Sequence, residues 1–316
     1  TAISDGQVVE VTTLRADLAT DGRHATVAFT DDWKLDAERR DFTINALYWN
    51  PAEGRLHDYF GGSEDLAAGR VRFIGNALAR IAEDHLRILR FFRFHARFGA
   101  GAEPDAEGLE ACIARANDLM ALSRERIADE WLKLLSLPDP SPTVRIMVET
   151  SILAPVLPEV SVEALPLLAA LVSAEARAGI PPDPLRRFAA LLPRDPLLAE
   201  KVAARLKLSN KARKRLASAA ERELDLRPQA LAYRIGTESA QDRLLLAGDT
   251  SGAEALTGWA VPRLPIGGGA LIAKGLVPGP GVARTLKAIE ARWVEEGFPN
   301  EERFAQLVDE ALTGNR

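Results

Sequence analysis

The chain has 316 residues, 47% of them hydrophobic, and a formal net charge of −5, enough for two or more packed units at roughly 100–200 residues per domain. Its longest apolar run, near Leu165 to Ala174, is too short for the ~20 residues of a membrane-spanning helix, so no membrane partner is expected. One cysteine, Cys112, excludes an internal disulfide framework and a thiolate zinc cluster and fits a cytoplasmic location, while the acidic balance leaves room only for a local basic face.

In chain order, Val8 to Leu14 and Thr26 to Phe29 read as strands, being rich in β-branched residues. The polar stretch between Arg15 and Lys34, with Asp21-Gly22 as a turn signal, reads as a mobile loop. Phe42 to Trp49 is apolar and fits a helix or a strand; Asn50-Pro51 closes it, and Arg55 to Tyr59 reads as a short final strand. From Ala77 the pattern turns helical, with Ile81, Leu86, Leu89, Phe92 and Phe98 assigned to one long amphipathic helix ended by Gly99. Ser123 is an N-cap for a helix carrying Ile127, Trp131, Leu134 and Leu135. Prolines at 138, 140, 155, 158, 181, 182, 193 and 196 punctuate further helices. The expected class is therefore α+β: a small mixed piece followed by a long helical array. The chain opens at Thr1 almost directly into strand-like sequence, so residues preceding it are expected.

Three segments carry chemistry. In Arg39-Arg40-Asp41-Phe42-Thr43-Ile44-Asn45-Ala46-Leu47, two adjacent guanidiniums offer planar donor forks suited to polyphosphate. Asp41 can accept from a ribose hydroxyl, and Asn45 can bond a sugar or fix a loop; a solvated charge pair before a core segment explains the same residues. Asp58-Tyr59-Phe60-Gly61-Gly62 reads as a turn that shapes a site rather than touching substrate. In Glu83-Asp84-His85-Leu86-Arg87-Ile88-Leu89-Arg90-Phe91-Phe92-Arg93, Asp84 and Arg87 fall on one face of a helix. A carboxylate accepts from an exocyclic amino group and a guanidinium donates to ring nitrogens or carbonyls. Cytosine and adenine share the amino group where uracil and guanine carry a carbonyl, so one Asp and one Arg can accept C and A. The alternative is an ordinary exposed ion pair.

Elsewhere, His57-Asp58 lacks the further ligands of a metal phosphohydrolase. Lys207, Lys211, Arg213, Lys214 and Arg215 form a basic cluster that suits an RNA backbone or, more commonly, a solvated face. Trp293 and Phe298 read as core residues.

Taken in this order, the segments resemble the motifs of the class II tRNA nucleotidyltransferases, a family that includes bacterial poly(A) polymerases. The Arg-Arg-Asp segment looks like its ribose- and phosphate-binding motif. Glu83-Asp84-x-x-Arg87 looks like its amino-acid template for CTP and ATP, and Ser123-Arg124-Glu125-Arg126 resembles the motif that braces the template helix. Val9 to Arg15 resembles the strand and loop following the catalytic aspartates. The resemblance implies a partial nucleotidyltransferase head with a small sheet (1–72), then an all-α neck (73–140), body (141–230) and tail (231–316), the tail binding tRNA. It implies template-independent addition of C, C and A to the tRNA 3′ end, with A-only addition, poly(A) synthesis or a non-catalytic RNA-binding role as alternatives. Arg39 and Arg40 would contact triphosphate or ribose, Asp41 and Asn45 the ribose, Asp84 and Arg87 the base edge, and Arg90 and Arg93 would support the nucleotide. Arg15 to Lys34 would match a flexible loop that helps switch from C to A. The family's Asp-x-Asp pair, which holds two Mg²⁺ ions, is absent from this sequence, so the metal carboxylates are expected upstream of Thr1, and the fragment is expected to bind nucleotide poorly and not to turn over. Glu10 is a candidate accessory carboxylate near the metals, or equally an edge-strand residue facing water.

Overall fold

The computed structural model describes residues 1–4, 6–21, 24–99, 101–224 and 226–313. The N-terminal part holds three two-stranded antiparallel hairpins: β1 (Ala2–Ser4) with β2 (Gln7–Val9), β3 (Arg15–Asp21) with β4 (His24–Phe29), and β5 (Leu47–Asn50) with β6 (Arg55–Asp58). Their registers pair Ala2 with Val9, Arg15 with Phe29, and Leu47 with Asp58. Among them sit α1 (Trp33–Glu38), a 3-10 turn at Thr43–Asn45, and α2 (Gly62–Ala67). Everything that follows is helical: α3 (Ala77–Glu83), α4 (Arg87–Phe98), α5 (Ala106–Ala114), α6 (Arg124–Leu135), α7 (Ser141–Glu149), α8 (Leu165–Arg177), α9 (Pro184–Leu191), α10 (Pro196–Arg205), α11 (Asn210–Glu221), α12 (Pro228–Ile235), α13 (Thr237–Leu246), α14 (Thr250–Ala255), α15 (Gly268–Ala273), α16 (Pro280–Glu295) and α17 (Glu301–Thr313).

Three local expectations change. The strand expected over 8–14 stops at Val9, and Val8 and Val11 are 65% and 73% exposed. β-Branched residues favour a strand only where a neighbouring strand completes the ladder and a packed face rewards it. The polar stretch 15–34 is a hairpin and the start of α1 rather than a loop, because ladder hydrogen bonds supply order that polar composition does not reveal. The pairing of Asp21 with His24 brackets the expected turn, whose Gly22 lies outside the described residues. Finally, the single long helix is two. Asp84 adopts an extended conformation (φ −151°, ψ 107°), and its carboxylate accepts from the Leu86 N–H at 3.1 Å. Aspartate competes in this way with helical backbone bonding, so the chain breaks and restarts at Arg87.

The N-terminal part joins α4 through aromatic rings. Phe42 is fully buried, 4.9 Å from the Phe73 ring and 5.3 Å from that of Phe94, while Phe73 stacks on Phe91 at 5.6 Å. One continuous core runs from Phe42 through α4, α6, α9 and α13 to Leu256. A separate cluster of Leu271, Ile289, Trp293, Phe304, Leu307 and Val308 closes the C-terminal helices. Phe298 packs edge-to-face on Trp293 at 4.9 Å, as expected of both. The turn at Asp58 also behaves as read. Its carboxylate accepts from the N–H groups of Phe60, Gly62 and Ser63. Gly61 has φ +77°, and a Cβ on Gly62 would lie 2.2 Å from the Thr43 carbonyl oxygen.

Candidate functional site

Where the N-terminal part meets α4 and α6, a cleft of about 490 Å³ is lined by Arg39, Arg40, Asp41, Asn45, Asp84, Leu86, Arg87, Arg90, Phe94 and Arg126. Seven of the nine residues singled out from the sequence meet there: Arg39, Arg40, Asp41, Asn45, Asp84, Arg87 and Arg90. Arg93 sits behind the wall, its Nε donating at 2.6 Å to buried Glu130. Glu10 is outside, exposed just past the end of β2.

The polar groups hold each other in a fixed chain. The Asp41 carboxylate is buried and accepts from Asn45 Nδ2 at 2.8 Å, the Phe42 N–H at 3.0 Å and Arg90 Nε at 2.6 Å. It is placed there because Phe42, its neighbour, is pinned in the core. Arg87 pairs with Glu83 and donates to the Arg80 carbonyl at 2.7 Å. Arg80 in turn donates to the carbonyls of Arg39 and Arg40, both at 2.6 Å, tying α3 to the N-terminal part. Burial and the nearby Arg87 cation lower the Arg80 pKa. Asp84 and Arg87 therefore do not pair face to face, as one helix would have them. The helix break turns Asp84 toward α6, where Arg126 donates to its two oxygens at 2.7 and 3.0 Å. Sequence reading puts Arg126 only in a bracing motif; its membership of the cleft depends on the packing of α6 across α4.

Behind Arg39 and Arg40 lies a residue the sequence reading passes over. Asp36 on α1 is 1% exposed and bonds both guanidiniums, the Tyr48 hydroxyl and the Arg15 N–H. Burial pushes its pKa up, but those donors outweigh it and hold the carboxyl well below the usual range. Tyr48, half-buried beside that carboxylate, is pushed up to about 12 by desolvation and the Asp36 contact and remains a hydroxyl donor. A signal existed: Asp36 stands three and four residues before Arg39 and Arg40, the spacing of helical ion pairs.

Other candidate sites fall away. His57 packs its ring 4.9 Å from that of Trp33. Among the described residues, no group of three or more His, Cys, Asp or Glu can hold a metal ion. The basic cluster is largely paired: Lys207 with Glu125, Arg213 with Glu200, and Arg215 buried against Asp242 and Asp183. Among the described residues, no helix is long and apolar enough to cross a membrane.

Five guanidiniums and two carboxylates meet in one cleft, between a small β-hairpin part and a helical array whose fold is similar to that of a CCA-adding enzyme. The comparisons with known proteins point the same way. Residues 1–72 match the poly A polymerase head domain, and residues 103–163 match a probable RNA- and SrmB-binding site of polymerase A. The Danio rerio mitochondrial CCA tRNA nucleotidyltransferase 1 is 54% identical over 129 residues, 40% of this chain and 29% of that protein. Poly(A) polymerase I of Haemophilus influenzae is 39% identical over 126 residues, 40% of this chain and 27% of that protein. The crystal structure of the Bacillus stearothermophilus CCA-adding enzyme in complex with CTP superposes with a TM-score of 0.71 at 26% identity, covering 98% of this chain and 81% of that one. The chain is thus similar, over these stretches, to tRNA nucleotidyltransferases and bacterial poly(A) polymerases. The matched stretch spans less than a third of the curated relatives' length.

Proposed function

We propose that the protein adds CMP and AMP to tRNA 3′ ends, with CTP and ATP as substrates and the cleft as its nucleotide site. The observation that carries this reading is the convergence of Arg39, Arg40, Asp41, Asn45, Asp84, Arg87 and Arg90 on one cleft. In this reading, Arg39 and Arg40 take the triphosphate, and Asp41, steadied by Asn45 and Arg90, accepts from the ribose. Asp84 accepts from the amino group that cytosine and adenine share, and Arg87 donates to the ring. Arg93 acts at one remove, through Glu130, on Arg90 and the nucleotide. The cleft would exclude UTP and GTP because a carboxylate opposite a carbonyl leaves two acceptors unpaired. The proposed division is head to residue 72, neck 73–140, body 141–230 and tail 231–316, with the tail offered to tRNA. A reducing compartment such as the cytoplasm suits the lone buried thiol.

Nucleotidyl transfer in this family uses divalent metal ions, and the described residues do not fit that need: they cluster no metal-holding carboxylates, and Glu10 stands apart. The carboxylates for two Mg²⁺ ions would have to come from outside the described residues. The test is incorporation from labelled CTP and ATP, separately and together, by the full encoded protein on tRNA ending at the discriminator base. Two C's followed by one A, with A dependent on the C's, is the expected result. A's added alone would move the protein to the poly(A) or A-adding branch, which its 39% identity to a poly(A) polymerase I keeps in view; no incorporation would overturn the reading.

A further inference from the structure

We infer that Asp36 is a positioning residue that sets Arg39 and Arg40 to grip a polyphosphate, an inference that rests on the nucleotide-binding reading of the cleft. Asp36 does not line the cleft and touches no substrate position; its whole effect passes through its partners. One carboxylate oxygen accepts from the Arg15 N–H at 3.0 Å and from Arg39 at 2.7 Å. The other accepts from the Tyr48 hydroxyl at 2.6 Å and from Arg40 at 3.0 Å. A carboxylate offers about four lone-pair sites, so these donors leave it no capacity for an ion or a ligand.

The consequence falls on the guanidiniums. Each spends one edge on Asp36 and keeps its remaining N–H groups for the cleft. Two adjacent cations would otherwise repel, and the rotamer freedom of each would have to be lost at the moment of binding. A buried anion fixed by a phenol and a backbone N–H cancels part of that repulsion in advance. The same anchor reaches neither Asp84, held from α6 by Arg126, nor Arg87, held by Glu83. Loss of Asp36 therefore bears on phosphate and spares base choice.

Calorimetric titration of the 1–316 chain with CTP, UTP and CMP separates positioning from general support. In Asp36→Asn, which keeps the shape and loses the charge, CTP affinity should fall about tenfold, or ~1.4 kcal/mol. CMP, with one phosphate, should lose much less, and the CTP-to-UTP ratio should not move. Equal losses for CTP and CMP, or a changed CTP-to-UTP ratio, would assign Asp36 to fold support alone and overturn the inference. If the Asn variant does not fold, Tyr48→Phe removes one of the anchoring donors and should shift the CTP-to-CMP ratio in the same direction; an unmoved ratio there overturns it equally. An unaltered chain that binds neither CTP nor CMP would overturn the nucleotide reading of the cleft itself.

Discussion

Asp84 shows how one side chain serves two tasks. Its carboxylate ends α3 by accepting from the Leu86 N–H and meets Arg126 across the cleft. About a third of each side chain of that ion pair is exposed, so the pair contributes under about 1 kcal/mol to stability. Asp84→Ala should therefore leave the unfolding temperature nearly unchanged while discrimination of CTP over UTP collapses in binding assays; retained discrimination would sink the base-reading role. Asp36 has the opposite character. Its pKa is depressed in the folded protein, so its stabilisation is complete above the ordinary aspartate value of about 3.9. It is lost as pH falls through the lower folded value, because the unfolded state then binds more protons. Thermal unfolding from pH 7 to 3 should show a decline on the acid side that is shallower in Asp36→Asn; identical slopes would mean that Asp36 contributes nothing to it.

At the level of elements, two packing contacts help to hold the N-terminal part in place. The first is the Phe42 ring in the Phe73–Phe91–Phe94 group. Phe42→Ala leaves a cavity and should cost about 3–5 kcal/mol in denaturant unfolding; a loss under ~1 kcal/mol would mean that the N-terminal part and α4 do not share a core. The second is the approach of α2 to the 3-10 turn, where Gly62 has room for no Cβ. The boundaries of these elements were hard to read in the chain. Arg15–Lys34 looks like a loop because neither strand of its hairpin has a long apolar run, yet each strand supplies the other's hydrogen-bond partners. The α3–α4 break is nearly invisible because the apolar spacing continues through it while a single aspartate redirects the backbone.

Across the whole molecule, buried ions tie α6 to α8, α9 and α13. Arg187 is 1% exposed; it pairs with Glu175 on α8 and donates to the carbonyls of Leu135, Leu137 and Pro138 at the end of α6. Glu175 also accepts from Arg186, which reaches Asp242 on α13. Removing one partner of a buried pair strands the other, so Glu175→Gln should cost about 3–5 kcal/mol. Because α6 also carries Arg126 and Glu130, the same variant should weaken CTP binding at a distance from the cleft. Unchanged affinity in a folded Glu175→Gln protein would show that Glu175 does not brace α6.

Much of this protein is determined locally. The change from short β-rich segments to helical periodicity, the Asp58–Gly62 turn, the apolar assignment of Trp293 and Phe298, and the three motif segments all depend on neighbours a few residues apart, where the chain's own stereochemistry decides. The tertiary structure alone decides the rest. It brings Arg126 to Asp84 across 42 positions and Arg90 to Asp41 across 49, buries Asp36 beneath two arginines and pairs off much of the basic cluster around residue 210. Those outcomes depend on which helices pack together, and a residue's charge does not say whether its partner will be water, a ligand or a carboxylate from another helix.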